Sequence, residues 1–281
     1  LDDDCDGAIE AQPCEQCTPG TGTCNGNVGH WCKDDGLGYI DEVCDPLMGT
    51  TCNPGTGKCD GVCGLAQLGS SYIGCDYWPT VTANIVTPTF HFAVAVSNTT
   101  ASPATVTITK GAATITSATV QPNDVGIYTL PWVDVLKDGA AADAVASVLA
   151  VDGAYRVRTN QPVTVYQFSP LEYALGGTNS YTNDASILLP SSAWTGKYRV
   201  ATRSPWQFVN GVWYPAFYAV TASQDNTTVT LLPSASGNSV KPGAGVNPDG
   251  TGTIVLNSGD VLEVFANHVG GGPCSGGYCA D

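Results

Sequence analysis

The chain has 281 residues, 43% of them hydrophobic, and sets 25 Asp plus Glu against 10 Lys plus Arg for a formal net charge of −15. Such an acidic balance argues against nucleic acid as a partner, because phosphate binding rests on clustered basic side chains. No run approaches the roughly 20 apolar residues that a membrane-spanning helix needs, so no spanning segment is expected.

The chain begins Leu1-Asp2-Asp3-Asp4-Cys5-Asp6-Gly7, acidic where a signal peptide would be basic and then apolar. An export signal is therefore expected outside this sequence. Asp2-x-Asp4-x-Asp6-Gly7 puts three carboxylates on alternate positions before a turn-permitting glycine, the way calcium loops gather oxygen ligands. Glu10 is placed to contribute through water, but Pro13 stands where a full loop has its bidentate acid. Asp2, Asp4, Asp6 and Glu10 are the candidate Ca2+ ligands, and a solvated acidic terminus is the plainer alternative.

Ten of the 12 cysteines come early, at Cys5, Cys14, Cys17, Cys24, Cys32, Cys44, Cys52, Cys59, Cys63 and Cys75, and only Cys274 and Cys279 lie late. Between Cys14 and Cys63 turn signals recur at Pro19-Gly20, Asn25-Gly26, Asp35-Gly36, Asn53-Pro54-Gly55 and Asp60-Gly61. A segment so interrupted cannot bury enough apolar surface to fold unaided and needs cross-links. Zinc is the alternative at Cys14-x2-Cys17 and Cys59-x3-Cys63, but the even count and irregular spacing favour disulfides. Disulfides place the protein outside the cytoplasm, extracellular or on the outer cell surface.

After Gly64 the pattern turns to Val, Thr, Ile, Tyr and Phe. Phe90–Val96, Ala104–Thr109, Tyr155–Arg158 and Val163–Phe168 read as strands. The Ala-rich stretch from Ala140 to Val151 fits a short helix or a strand with its loop. Phe92–Val96, Ala104–Ile108 and Asn123–Tyr128 are echoed by Phe217–Thr221, Thr228–Leu231 and Ser258–Val264, an internal repeat. The first copy continues through Tyr155–Tyr166, and no counterpart follows in the second. The second unit is thus expected to be incomplete, with an open sheet edge to be covered by a neighbouring chain or further polypeptide. Sequons at Asn98-Thr99-Thr100 and Asn226-Thr227-Thr228 fall at similar places in the copies, which suggests a shared hairpin.

The run Gly69-Ser70-Ser71-Tyr72-Ile73-Gly74-Cys75-Asp76-Tyr77-Trp78-Pro79-Thr80-Val81, the Phe92–Asn98 segment and Thr227–Pro233 resemble the IgGFc-binding protein N-terminal family. The likeness extends roughly from Cys63 onward. Leu1 to Glu10 resembles the end of an acidic repeat, associated with metal binding, in long surface proteins of certain Gram-negative bacteria. The resemblance implies a bacterial protein with an extracellular adhesive or matrix role, both of whose ends cut through a longer polypeptide. It assigns no contact residue, since fold likeness does not carry a binding site.

No catalytic constellation emerges. His30, His91 and His268 are scattered, and Gly69–Gly74 lacks nucleophile-elbow spacing. His91, between Phe90 and Phe92, reads as a solvent-facing rim residue, and Trp78 beside Cys75 as core. Asn210-Gly211 reads as a hairpin turn with aromatics on both arms, making Trp206, Phe208, Trp213 and Tyr214 the candidate contact surface.

The fold expected is all-β, in four parts: the end of an acidic repeat at 1–13, a disulfide-rich module at 14–63, and antiparallel sandwich-like units at 64–190 and 191–281. The function expected is that of a non-enzymatic structural or adhesive protein, a segment of a modular surface or fibrous assembly. It requires no cofactor, with Ca2+ the candidate ion for the acidic terminus. Its partners would be protein, by self-association or contact with a neighbouring surface protein, or glycan. A secreted binding module for a glycan or host protein is the alternative.

Overall fold

The computed structural model describes residues 16–65, 67–137, 146–202, 205–207, 213–233, 240–267, 274–275 and 278–279, with 206–207, 274–275 and 278–279 as backbone alone. Its regular structure is almost entirely β, as expected.

The cysteine-rich segment holds a three-stranded antiparallel sheet of β1 (Gly22–Asn25), β2 (Val28–Cys32) and β3 (Tyr39–Val43). A 3-10 turn at Pro46–Met48 leads to the two-residue strands β4 (Thr51–Cys52) and β5 (Cys59–Asp60). Disulfides join Cys17 to Cys32, Cys24 to Cys52, Cys44 to Cys59, and Cys63 to Cys75. With Cys17, Cys59 and Cys63 all bridged, the zinc alternative falls. Backbone takes the place of a core here. A Cβ on Gly29 would lie 2.1 Å from the Gly57 carbonyl oxygen, so only glycine allows that approach.

Glu42 is buried and accepts hydrogen bonds from the N–H groups of Cys59 (3.3 Å) and Leu65 (2.9 Å), closing the lower part of the module around one carboxylate. Glu42→Ala removes the acceptor of both N–H groups and is expected to cost about 1–3 kcal/mol, chiefly through the buried Cys59 N–H. Hydrogen exchange should show it as faster exchange at the Cys59 and Leu65 amides, and unchanged exchange there would refute the assignment.

Strands β6 (Ile73–Tyr77), β7 (Phe92–Asn98), β8 (Ala104–Lys110), β9 (Ala113–Val120) and β10 (Asp124–Leu130) follow. A single helical turn, α1 (Asp134–Lys137), precedes β11 (Val148–Ala150) and the 14-residue β12 (Tyr155–Phe168). β13 (Ala174–Leu175) and β14 (Thr178–Asn179) form a small hairpin before β15 (Ala185–Ile187). The strand order is β10-β7-β12-β8-β9, with β6 and β15 also on β12.

Sequence alone divides β12 into two strands at Gln161-Pro162, whereas the chain runs through as one. Tyr155–Thr159 pair with β8 and Thr164–Phe168 with β7. Pro162 falls where the strand changes partner and the ladder to β6 is interrupted, between Arg158 and Val163, so its missing N–H breaks no ladder bond. The strand thereby serves two partners in turn, β8 with its first half and β7 with its second. Tyr155, Val157, Val163 and Val165 point from it into a core with Phe92 and Ile108, all at most 1% exposed. Burial pushes the Tyr155 phenol up to about 12, and its hydroxyl donates to the Pro131 carbonyl at 2.6 Å.

The module is fixed to β12 as well as to β6. Asp45 accepts from Arg158 Nη1 at 2.9 Å, a pair in which both side chains are largely buried, while Cys63–Cys75 joins the segment covalently to β6.

β16 (Trp206–Gln207), β17 (Trp213–Tyr214), β18 (Phe217–Thr221), β19 (Thr227–Leu231), β20 (Gly252–Leu256) and β21 (Val261–Phe265) make up the later part, with β22 (Cys274–Ser275) and β23 (Tyr278–Cys279). The repeat is visible in pairing. β10 on β7 and β9 on β8 correspond to β21 on β18 and β20 on β19. A backbone bond from Asn123 N to Asn98 O (2.8 Å) recurs from Gly259 N to Ala222 O (2.9 Å).

β11 does not stay with its neighbours in sequence. It pairs with β21, giving a sheet β11-β21-β18. The stretch read as helix or strand is therefore strand at 148–150, and residues 138–145 lie outside the described residues. The shared-hairpin reading of the sequons is corrected: β12 stands between β7 and β8. Asn98 is fully buried, its amide donating to the carbonyls of Ser102 and Val120, whereas Asn226 is exposed with a left-handed φ of 57°.

Candidate interaction surface

The arms on either side of Asn210-Gly211 pair Trp206 opposite Tyr214 and Gln207 opposite Trp213, one residue away from the register of a two-residue Asn210-Gly211 turn, which would set Gln207 opposite Tyr214. The arm is not free-standing. β16 also pairs with β23 through Trp206 and Tyr278, giving the order β17-β16-β23-β22. Trp213 and Tyr214 are half-buried; Phe208 and the turn lie outside the described residues. Cys274 stands opposite Cys279 in the β22–β23 register.

Trp78 belongs to the core, as expected, with the Arg156 guanidinium 5.0 Å from its ring centroid. Arg156 also holds Asp76 at 2.7 Å, and Asp76 accepts from Ser191 Oγ at 2.7 Å.

His91 is on the rim, its Nδ1 2.5 Å from Glu172. Burial works against ionisation of Glu172, but hydrogen bonds from the backbone and ring of His91 hold its carboxyl below the usual range. His30 pairs with Asp41 at 2.6 Å and stacks on Tyr39. The two histidines thus have separate carboxylate partners, and His268 lies outside the described residues. Among the described residues no group of three or more His, Cys, Asp and Glu is placed to hold a metal ion. Asp2, Asp4, Asp6 and Glu10, with Cys5 and Cys14, fall outside them.

Two features of the later part escaped the sequence reading. Glu263 lies in the apolar run Val261-Leu262-Glu263-Val264-Phe265 and is 0% exposed. Its Oε1 accepts from Ala83 N at 2.8 Å, while Oε2 has no partner. An acid at an inward position of a strand was the available signal. Burial pushes its carboxyl up to about 8, against the pull of the Ala83 N–H.

The second feature is uneven burial of the repeat. In β7 every residue except Ser97 is buried, whereas all five residues of β18 are half-buried. β8 is mostly buried, whereas β19 buries only Leu231. The later core, around Leu231, Val246, Ile254, Leu256, Leu262 and Val264, therefore leaves Tyr218, Val220 and Val229 on its margin.

Residues 184–272 match the family model described as IgGFc binding protein. The match takes in Thr227–Pro233 of the resemblance read from sequence; Gly69–Val81 and Phe92–Asn98 lie outside it. No curated protein and no solved structure matches the chain. No helix among the described residues is long and apolar enough to cross a membrane.

Proposed function

From the family match over residues 184–272, we propose that the chain is a segment of an extracellular, non-enzymatic surface protein with structural and adhesive work. Its later β unit is the part that engages protein. The carrying observation is that the matched residues are those whose strands are half-buried where their counterparts in the earlier copy are buried. Such strands leave main-chain groups and apolar side chains available for a protein contact.

The staples and the acidic balance support the same reading. Four disulfides persist only where the surroundings are oxidising. The division at 64–190 and 191–281 belongs to the proposal, with β11 contributing to the later sheet. A secreted binding module for a glycan or host protein is the second reading, favoured by the aromatic pairing of Trp206 with Tyr214 beside Trp213.

Negative-stain electron microscopy and sedimentation of the purified chain test the proposal. Regular assemblies are expected, and their loss with a chelator would bring calcium and the Asp2, Asp4, Asp6 and Glu10 set into the contact. Dispersed monomers in both conditions would overturn the assembly reading and leave the binding module.

A further inference from the structure

The sheet β11-β21-β18 shows a different face to each copy. From β21, Leu262 and Val264 join the later core, whereas Val261 belongs to the earlier core and Phe265 packs with Ala83. Glu263 lies between Val261 and Phe265 on this second face, with Val148 and Ala219 opposite it in register, both packed against the earlier core. The chain between β6 and β7 crosses the same face at residues 80–84. Thr80 Oγ1 lies 2.8 Å from Thr221 Oγ1 on β18, and Ala83 N donates to Glu263 Oε1 at 2.8 Å. Glu263 has no exposed surface, and its Oε2 has no partner among the described residues.

We infer that residues 80–84 form a strap that stays on the later sheet while Glu263 holds its proton and lifts from it when the proton is lost, a pH-operated joint between the two β copies. An ion sealed in that seam would have one N–H donor to offset the loss of bulk solvent, which is costly. β21 does not give way easily, because β11 and β18 pair with it on both sides. The strap is attached to that sheet by single hydrogen bonds at Thr80 and Ala83, so lifting it is the shorter route to solvation. Its release would uncover Ala83 and Phe265, now 8% and 0% exposed.

The charged and titratable groups around the seam have other engagements. Lys137 on α1 donates from Nζ to the Asn84 carbonyl at 3.2 Å, with that nitrogen 5.4 Å from the centre of the Trp132 ring, and Asp134 on the same turn is exposed. Asp260, ahead of β21, accepts from the N–H groups of Asp152 and Asn257. Lys241 gives its backbone N–H to the Phe265 carbonyl. β11 brings only Val148-Leu149-Ala150, and Tyr218 of β18 packs against the later core. Burial pushes the Glu263 carboxyl from 4.5 up to about 8, with the Ala83 N–H pulling the other way. The closed seam thus keeps the proton longer than the open one, so closure is strongest below about pH 4.5 and is lost as pH climbs through about 8.

Hydrogen exchange at single-amide resolution on the whole chain tests the joint, run from about pH 4.5 to about pH 8 with each rate corrected for its intrinsic pH dependence. The Ala83 amide, and the Asn84 amide bonded to the Lys137 carbonyl, report the strap. Amides of β7, held between β10 and β12, report unfolding of the whole protein. Protection of the strap should be lower than that of β7 throughout and should fall about tenfold per pH unit. In Glu263→Gln the fall should vanish. Equal protection of strap and β7 at every pH would show that the seam opens only when the protein unfolds, and would overturn the joint even if overall stability falls with pH. Strap protection that ignores pH, or a slope retained in Glu263→Gln, would overturn it as well. Where the variant misfolds, the slope in the unsubstituted chain and the gap between strap and β7 decide the matter.

Discussion

The folded protein is expected to lose stability as pH rises from about 4.5 to about 8, and Glu263→Gln is expected to abolish most of that loss. Glu263 has no exposed surface, and its carboxyl is raised from 4.5 to about 8, chiefly by burial, with the Ala83 N–H pulling the other way. A group whose pKa is higher folded than unfolded holds its proton longer in the folded state. Its contribution is fully present below the unfolded pKa and is lost as pH climbs through the folded one. At about 1.4 kcal/mol per pKa unit, the loss across that window is on the order of 4–5 kcal/mol.

Gln retains the oxygen that accepts from Ala83 but adds an amide beside the position where Oε2 lacks a partner, at a cost of about 1–3 kcal/mol. The variant should therefore be the weaker protein near pH 4 and the stronger one near pH 8, by about 2 kcal/mol. Denaturant midpoints of both proteins across this range give the answer, and parallel curves would sink the prediction. Glu263 lies across the sheet from Val148 and Ala219, against the segment at Ala83. Lys137 on α1 donates to the carbonyl of Asn84, the next residue, so the comparison should also be made in a Lys137→Met background to separate the two groups.

Removing the Cys63–Cys75 bridge by paired alanine substitution should cost about 3 kcal/mol, the usual order for a loop of this length. Both cysteines are at most 2% exposed, so the change also removes packed sulfur from the joint. The other bridges among the described residues lie wholly within the module, which should keep its fold. The variant should melt in two steps where the parent melts in one, because only Asp45–Arg158 and neighbouring contacts then couple the module to the sandwich. A single unshifted transition in calorimetry would show that the disulfide is not what joins them.

Local chemistry made much of this fold legible. Turn dipeptides and the cysteine count announced the stapled segment, and β-branched runs located β7, β8 and β12. The repeat was readable because the same strands recur with similar side chains. Pairing was less accessible. Four bridges cannot be connected from spacing alone, and Gln161-Pro162 reads as a break unless one knows that the strand changes partner there. β11 carries the short sequence Val148-Leu149-Ala150, which says nothing of whether its partner is β10 nearby or β21 far away. Around the expected contact residues, Asn210-Gly211 predicted a hairpin, but nothing local indicated the register of its arms or that β23 would lie along β16. Glu263 was visible as an acid among apolar neighbours, whereas its solvation depends on a segment that precedes it by most of the chain.

The pairing of Val148 with Glu263 and of Ala150 with Val261 also imposes an order on folding. The disulfides among the described residues join positions only 12 to 28 residues apart, so their loops close early and cheaply. β11 must wait for a partner made more than a hundred residues later. As a nascent chain emerges, the first copy can assemble around β12 while β11 stays an unpaired apolar strand held between two finished ones. Non-local pairing of this kind slows the last step and leaves a period in which a wrong strand can be captured. Refolding should therefore be fast for the module and concentration-sensitive for the later sheet, with the yield set by how soon β21 reaches β11.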